Sequence, residues 1–276
     1  MKRKFTKMHG AGNDYIYFDC RTEQLSDPAH AAIVLSDRHT GIGGDGIVMI
    51  CASDMADAKM RMFNADGSEG KMCGNAIRCV GKYLYDNKIV EKTDLTIETL
   101  SGIKRLKLYE KAGRVERVRV DMGAASFAPE DLPVLLEGEV IDRKVHVAGG
   151  EHSITCVSMG NPHCVVFEDP DAVDVEELGR KFETDRLFPE RVNTEFVKKT
   201  GENALRMRVW ERGSGETMAC GTGACAAAAA ACACGLCTAG QDITVELLGG
   251  ILVINVGEHV FMTGEAVTVF TGEVEI

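Results

Sequence analysis

Two alternating runs, Thr93 to Ile97 and Val115 to Val120, carry β-branched and apolar residues at every second position and predict strands. Upstream of them, Ala76, Ile77, Val80 and Tyr83-Leu84 recur at the spacing of one helical face, which predicts a helix opening at Gly74-Asn75. A second helix is predicted from about Gly223 to Gly235. Its residues, Ala224-Cys225-Ala226 through Ala233-Cys234, are small and apolar on every side, as suits a helix buried all round inside a sheet. A membrane span is the rival reading of that tract, but it falls short of ~20 residues and its side chains are too small to drive insertion. The tail, Ala266 to Ile276, alternates like another strand.

The pattern is written twice. Lys59-Met60-Arg61-Met62-Phe63 matches Arg206-Met207-Arg208-Val209-Trp210 at an offset of 147 (207 less 60), and the same offset joins Cys73-Gly74 to Cys220-Gly221. Leu95-Thr96-Ile97-Glu98 matches Ile243-Thr244-Val245-Glu246, and Gly12-Asn13 matches Gly160-Asn161, at 148 (246 less 98). Matches in the same order at a near-constant, domain-sized offset imply two structurally equivalent halves. The boundary is expected near Asp121, because Pro129 and Pro133 fall with Gly123 and Gly138 in the segment that follows the first copy. A sheet with an embedded helix, twice over, makes this an α+β protein, with halves at 1–120 and 121–265.

Composition narrows the function classes. With 45% hydrophobic and 26% charged residues among 276, and a mean hydropathy of -0.05, the chain has the make-up of an ordinary globular protein. Thirty-one basic against 42 acidic residues leave a net charge of -11, and the one basic run is Lys2-Arg3-Lys4, which argues against nucleic acid as a partner. No apolar leader opens the sequence, so the cytoplasm is the expected location and no membrane partner is expected. The 11 cysteines are a high and odd count, yet a chain this long and this rich in core-forming residues needs no disulfide scaffold; reduced thiols are expected.

Two of those thiols stand apart. Met72-Cys73-Gly74-Asn75 and Ala219-Cys220-Gly221-Thr222 each deliver a Cys-Gly pair to the start of a predicted helix. A helix N-terminus presents unpaired N–H groups and the positive end of the dipole, which favours a thiolate and attracts a carboxylate, while glycine allows close approach. If the halves pack with pseudo-twofold symmetry, a thiol stands on either side of one amino acid: one thiolate removes the α-proton and the opposite thiol returns one. Converging amide dipoles would stabilise the carbanion, about 3 to 4 kcal/mol for one well-placed donor, so neither pyridoxal phosphate nor any other cofactor is called for. Cys20, Cys51, Cys79, Cys156, Cys225, Cys232, Cys234 and Cys237 are read as structural.

Two other signals lead elsewhere or nowhere. Cys232, Cys234 and Cys237 invite a zinc reading, but they offer one C-x2-C inside an Ala-rich helix with no matching knuckle, so no metal is expected. Gly41-Ile42-Gly43-Gly44-Asp45-Gly46 is glycine-rich yet fits neither phosphate-binding fingerprint, and reads as a substrate-lining loop or a turn.

The motifs His9-Gly10-Ala11-Gly12-Asn13-Asp14, Arg38-His39-Thr40-Gly41-Ile42-Gly43, Phe63-Asn64-Ala65-Asp66-Gly67-Ser68-Glu69, Cys73-Gly74-Asn75, Gly160-Asn161-Pro162-His163, Arg191-Val192-Asn193, Glu211-Arg212-Gly213 and Ala219-Cys220-Gly221-Thr222-Gly223 together resemble the diaminopimelate epimerase family over essentially the whole chain. The resemblance implies two pseudo-symmetric domains, each a mostly antiparallel half-barrel around a central helix, with the strand at 266–276 returning to complete the first. It implies conversion of LL-diaminopimelate to the meso isomer in lysine and cell-wall precursor synthesis, with Cys73 and Cys220 as the acid/base pair and His163 and Glu211 assisting. By the same resemblance Asn13, Asn64, Asn161, Asn193, Glu211 and Arg212 would hold the substrate, and the amides of Gly74, Asn75, Gly221 and Thr222 would receive a carboxylate. Gly46 departs from the pattern, since some relatives place a polar side chain after the aspartate.

Such a polar set suits a substrate with two charged amino-acid ends: arginine grips a carboxylate bidentately and asparagine carbonyls accept from an ammonium. Singly, each has an ordinary alternative: a turn asparagine, a satisfied core histidine, a solvated Glu211–Arg212 pair. Proline racemase and 4-hydroxyproline epimerase, of the same fold family, are the alternative enzymes; a noncatalytic metal- or thiol-buffering protein is the alternative of another class. The partner expected is a small amino acid, and a homodimer is compatible with the sequence.

Overall fold

The structure, a computed structural model, describes residues 2–276. Its contacts divide the chain into two compact units, one running to Asp121 and rejoined by Thr263–Ile276, the other Met122–Met262.

In the first unit the elements are β1 (Lys2–Gly10), β2 (Asn13–Cys20), α1 (Pro28–Ser36), β3 (Gly46–Cys51), β4 (Ala58–Asn64), β5 (Glu69–Gly70), α2 (Gly74–Asp86), β6 (Asp94–Thr99), β7 (Gly102–Lys111) and β8 (Arg114–Asp121). In the second they are β9 (Arg143–Val147), β10 (Gly150–Ser158), β11 (Pro162–Val166), α3 (Val175–Glu183), β12 (Asn193–Gly201), β13 (Ala204–Glu211), β14 (Gly215–Glu216), α4 (Gly221–Ala233), β15 (Asp242–Leu247) and β16 (Gly250–Val256). Then come β17 (Val260–Glu265) and β18 (Val267–Glu275). The last strand lies antiparallel on β1, Lys2 opposite Glu275, so the two ends of the chain share one sheet.

The two units repeat one pairing pattern. In the first, β1 and β2 are antiparallel, β2 and β3 parallel, β3 and β4 antiparallel, β4 and β6 parallel, and β6–β7–β8 antiparallel. In the second, β10 with β11, β12 with β13 and β15 with β16 are antiparallel, while β11 with β12 and β13 with β15 are parallel. Each sheet is therefore mostly antiparallel with two parallel joints.

A parallel joint needs a crossover, usually a helix. That requirement accounts for α1 and α3, which are not among the elements predicted from the sequence, although Val175, Leu178 and Phe182 give α3 a clear helical stripe. They occupy equivalent places, offset by 147 (175 less 28). Both open on a side-chain cap: Asp27 accepts from the His30 N–H, with proline at the first position, and Asp174 accepts from the Glu177 N–H. The apolar run in α1 covers all its faces, so no helical period marks it.

The central helices are α2 and α4. The second spans Gly221–Ala233, two residues earlier at each end than the alanine tract suggests. It starts early because the Cys220 sulfur caps it, accepting from the Gly223 N–H. It stops at Ala233 because Gly235, at φ 69°, turns the chain in the left-handed region while Leu236 N–H donates to Ala231 O at 2.8 Å and Gly235 N–H to Cys232 O at 3.1 Å. Around α4 lie β10, β11, β12, β13, β15 and β16, so Ala224 to Ala231 are buried on every face. Only small side chains permit a sheet to close so tightly on a helix. In the first unit α2 packs on β1, β2, β7 and β8, and the larger Ile77, Val80 and Leu84 are fully buried there. No helix among the described residues is long and apolar enough to cross a membrane.

Candidate active site

Each cysteine singled out from sequence is the N-cap of its unit's central helix. Cys73 has extended backbone (φ -132°, ψ 122°), and its sulfur accepts from the Ala76 N–H at 3.5 Å. Cys220 (φ -106°, ψ 114°) accepts from the Gly223 N–H at 3.3 Å. Gly74 and Asn75, like Gly221 and Thr222, fill the first two helical positions, where a backbone N–H has no carbonyl within the helix to bond.

In the first unit the Cys73 thiol donates to Asn13 Oδ1 at 3.2 Å. Asn13 Nδ2 in turn donates to Asp45 Oδ2 at 2.6 Å, which fixes the orientation of the amide. Asp45 belongs to the glycine-rich segment, and its backbone ties the site together, N–H to Asp14 O at 2.7 Å and O from the Ala65 N–H at 3.0 Å. Arg38 bridges Asp14 (2.7 Å) and Asp45 (3.0 Å), and Lys7 bonds both Asp14 and the Gly43 carbonyl. Burial opposes ionisation of Asp14, but the bonds from Arg38 and Lys7 outweigh it and hold the carboxyl below its ordinary value. Asn64, at the end of β4, donates from Nδ2 to Ser68 Oγ at 3.0 Å within its turn. Gly46 has a steric reason: a Cβ there would run into the Phe63 carbonyl oxygen and the Tyr15 ring.

In the second unit a chain of polar contacts leads to the thiol. His163 Nε2 lies 3.1 Å from Asn161 Oδ1, Asn161 Nδ2 donates to Thr222 Oγ1 at 3.4 Å, and Thr222 Oγ1 is 3.5 Å from Cys220 Sγ. Glu211 is within hydrogen-bonding reach of Cys220 and accepts from Thr217 at 2.5 Å. Asn193 donates to Pro162 O at 2.8 Å and accepts from the Arg212 N–H at 2.9 Å, joining β11 to the turn after β13. The exposed Arg212 guanidinium donates to Glu190 O at 2.9 Å.

One expectation fails here. A helix start favours a thiolate, yet burial, followed by the negative charges of Glu211 and Glu195, pushes the Cys220 thiol well above its ordinary value; the bonds from Thr222 and the Gly223 N–H only partly offset this. Desolvation exceeds the dipole because Cys220 is nearly closed off from water, the residue being 6% exposed. Burial likewise raises Glu211, against its bonds to Thr217 and Cys220. Sequence reasoning also missed Glu195, a fully buried carboxylate 2.6 Å from His163 Nδ1. Its only signal is an acidic residue placed among the buried positions of a strand, Thr194 to Val197. Among the described residues no three metal-ligating side chains are gathered to hold an ion.

The doubled sheet-and-helix unit is the fold of a class of amino-acid epimerases and their structural kin. The crystal structure of hydroxyproline epimerase from Agrobacterium vitis superimposes with a TM-score of 0.69 over 99% of this chain and 92% of that one, at 16% identity. A predicted epimerase from Pseudomonas aeruginosa gives 0.72 over 99% of both chains, also at 16%. Sequence then specifies the member: the diaminopimelate epimerase family model matches residues 5–128 and 155–269. Diaminopimelate epimerase of Methanococcus maripaludis is 51% identical over 99% of this chain and 100% of its own, and that of Bacillus subtilis is 50% identical over 98% and 97%. The chain belongs to the diaminopimelate epimerase family.

Proposed function

We propose that the chain is an isomerase that epimerises one amino-acid centre of diaminopimelate, from LL to meso, in lysine and cell-wall precursor synthesis, with Cys73 and Cys220 as its paired acid and base. The two units are its two epimerase halves. One observation carries the mechanism: in each unit a thiol caps the central helix, beside the two backbone positions best suited to receive a carboxylate.

In the forward direction one sulfur, as thiolate, takes the α-proton, and the C–H electron pair spreads into the α-carboxylate. The amides of Gly74, Asn75, Gly221 and Thr222 receive that charge. The other thiol returns a proton to the opposite face, so the thiol and thiolate exchange roles with each turnover. Glu211, in reach of Cys220, is the group through which that sulfur gains or loses its proton, and His163 orders the same end through Asn161 and Thr222. Asn13, Asn64, Asn161, Asn193 and Arg212 hold the substrate, with Arg212 on the carboxylate of the centre that is not inverted. Action in the cytoplasm, as a homodimer, belongs to the same reading.

Incubation with LL-diaminopimelate, L-proline and 4-hydroxyproline in deuterium oxide tests it. Inversion of diaminopimelate with deuterium entering its α-carbon is expected; turnover of the two imino acids alone would overturn the reading.

A further inference from the structure

The parallel register of β11 and β12 sets His163 beside Asn193 and Val165 beside Glu195. His163 and Glu195 therefore share a face of the sheet, and both are fully buried. Nδ1 and Oε1 are 2.6 Å apart, while among the described residues Glu195 Oε2 accepts no hydrogen bond. A buried carboxylate with one oxygen unsatisfied is costly, so stability does not explain its presence. Room for it is made on the helix side. A Cβ on Gly223 would stand 2.7 Å from Glu195 Oε1 and 3.3 Å from Cys220 Sγ, so the carboxylate reaches the first turn of α4, next to the thiol.

The first unit lacks this arrangement. Its matching register pairs Tyr15 with Gly46 and Tyr17 with Val48, so Tyr15 stands where the second unit has His163, and Val48 where it has Glu195. The pair is thus an addition to one copy of the duplicated unit.

We propose that Glu195 is a positioning residue of the Cys220 end: its carboxylate takes the Nδ1 hydrogen of His163 and fixes the tilt of the ring, so that Nε2, also bearing hydrogen, donates to Asn161 Oδ1 and so into the Asn161–Thr222 path to the thiol. Both ring nitrogens face oxygen acceptors, and a buried carboxylate behind a histidine orients the ring and favours the form that donates from both. The inference rests on the assignment of Cys220 as an acid/base group made above.

The test pairs kinetics with a measurement that needs no substrate. In wild-type protein labelled with nitrogen-15 histidine, a long-range proton–nitrogen correlation spectrum, assigned against His163→Asn, should show Nδ1 of His163 bearing hydrogen. Glu195→Gln, which keeps the shape and removes the charge, should lower kcat about 10- to 100-fold with KM nearly unchanged and alter that histidine signature. Wild-type Nδ1 without hydrogen, or a folded Glu195→Gln enzyme with kcat within about twofold of wild type, overturns the proposal. Should Glu195→Gln fail to fold, Glu195→Asp, which withdraws the carboxylate by one methylene, is read by the same two criteria. Failure of the wild-type enzyme to act on diaminopimelate would overturn the proposed function instead, leaving the Nδ1 signature to test the positioning.

Discussion

Asn13 and Cys73, sixty residues apart in sequence, are joined by a bond from the thiol to the amide oxygen at 3.2 Å, with Asp45 holding the other end of that amide at 2.6 Å. The sulfur therefore rests against an oxygen whose orientation is fixed by a third residue, not by rotation in solvent.

Asn13→Ala is accordingly expected to lower kcat/KM for diaminopimelate about 10-fold or more, from the lost hydrogen bond to Cys73 together with the substrate contact proposed for it. Asp45→Asn, which frees the amide to turn, should show a smaller loss of the same kind. Initial-rate kinetics decide it, and unaltered kinetics in Asn13→Ala would remove that residue from the site.

Cys73→Ala and Cys220→Ala should each abolish epimerisation, by about 100- to 10,000-fold or more, because on the proposed mechanism one face of the α-carbon then loses its only proton carrier. Substrate binding followed by calorimetry should persist in both. Turnover near normal in either variant would contradict the paired roles, and the pH profile of the intact enzyme should be bell-shaped, reporting the coupled thiols as a pair.

Stability should fall in alkali. Burial pushes the fully buried Cys79 thiol in α2 up from its ordinary value of 9.0 to about 11. A group raised in the folded state contributes stability that is complete below pH 9 and is lost as pH rises toward 11, because the unfolded chain gives up its proton first. Urea unfolding should therefore show a loss on the order of 2 to 3 kcal/mol from this thiol across that window. The loss should shrink in Cys79→Ala; an equal slope in the variant would show that other groups cause it.

Gly179 in α3 lies flat against Trp210, and a Cβ there would come within 2.5 Å of Trp210 Cγ. The indole cannot retreat, since its Nε1 donates to Glu183 at 2.6 Å. Gly179→Ala should thus destabilise the protein by about 1 to 3 kcal/mol or more through overpacking, seen as a lower midpoint in denaturant. A helix-propensity gain with no loss of stability would show that α3 can shift outward.

Much of this molecule is legible one residue at a time. The doubling, the two Cys-Gly helix starts, the stripe of α2 and the all-round burial of the alanine helix follow from spacing and side-chain size, because those are local properties that a linear chain displays. The family follows as well, since eight motifs spread over both copies are individually short but jointly specific. Asn13, Asn161, His163 and Glu211 are named by the motifs, but nothing linear says that Asn13 meets Cys73 or that Glu211 meets Cys220.

Tertiary structure decided the rest. Crossover helix α1 is demanded by parallel strand pairing, a relation between segments far apart in sequence, and carries no helical period of its own. By contrast, α3 announces itself locally through its Asp174 cap and its Val175–Leu178–Phe182 stripe. Glu195 reads as one more acidic residue until the β11–β12 register sets it behind His163. The elevated Cys220 thiol likewise reverses what a helix start alone suggests, because desolvation depends on everything packed around the sulfur, and that enclosure exists only once the sheet has closed on α4.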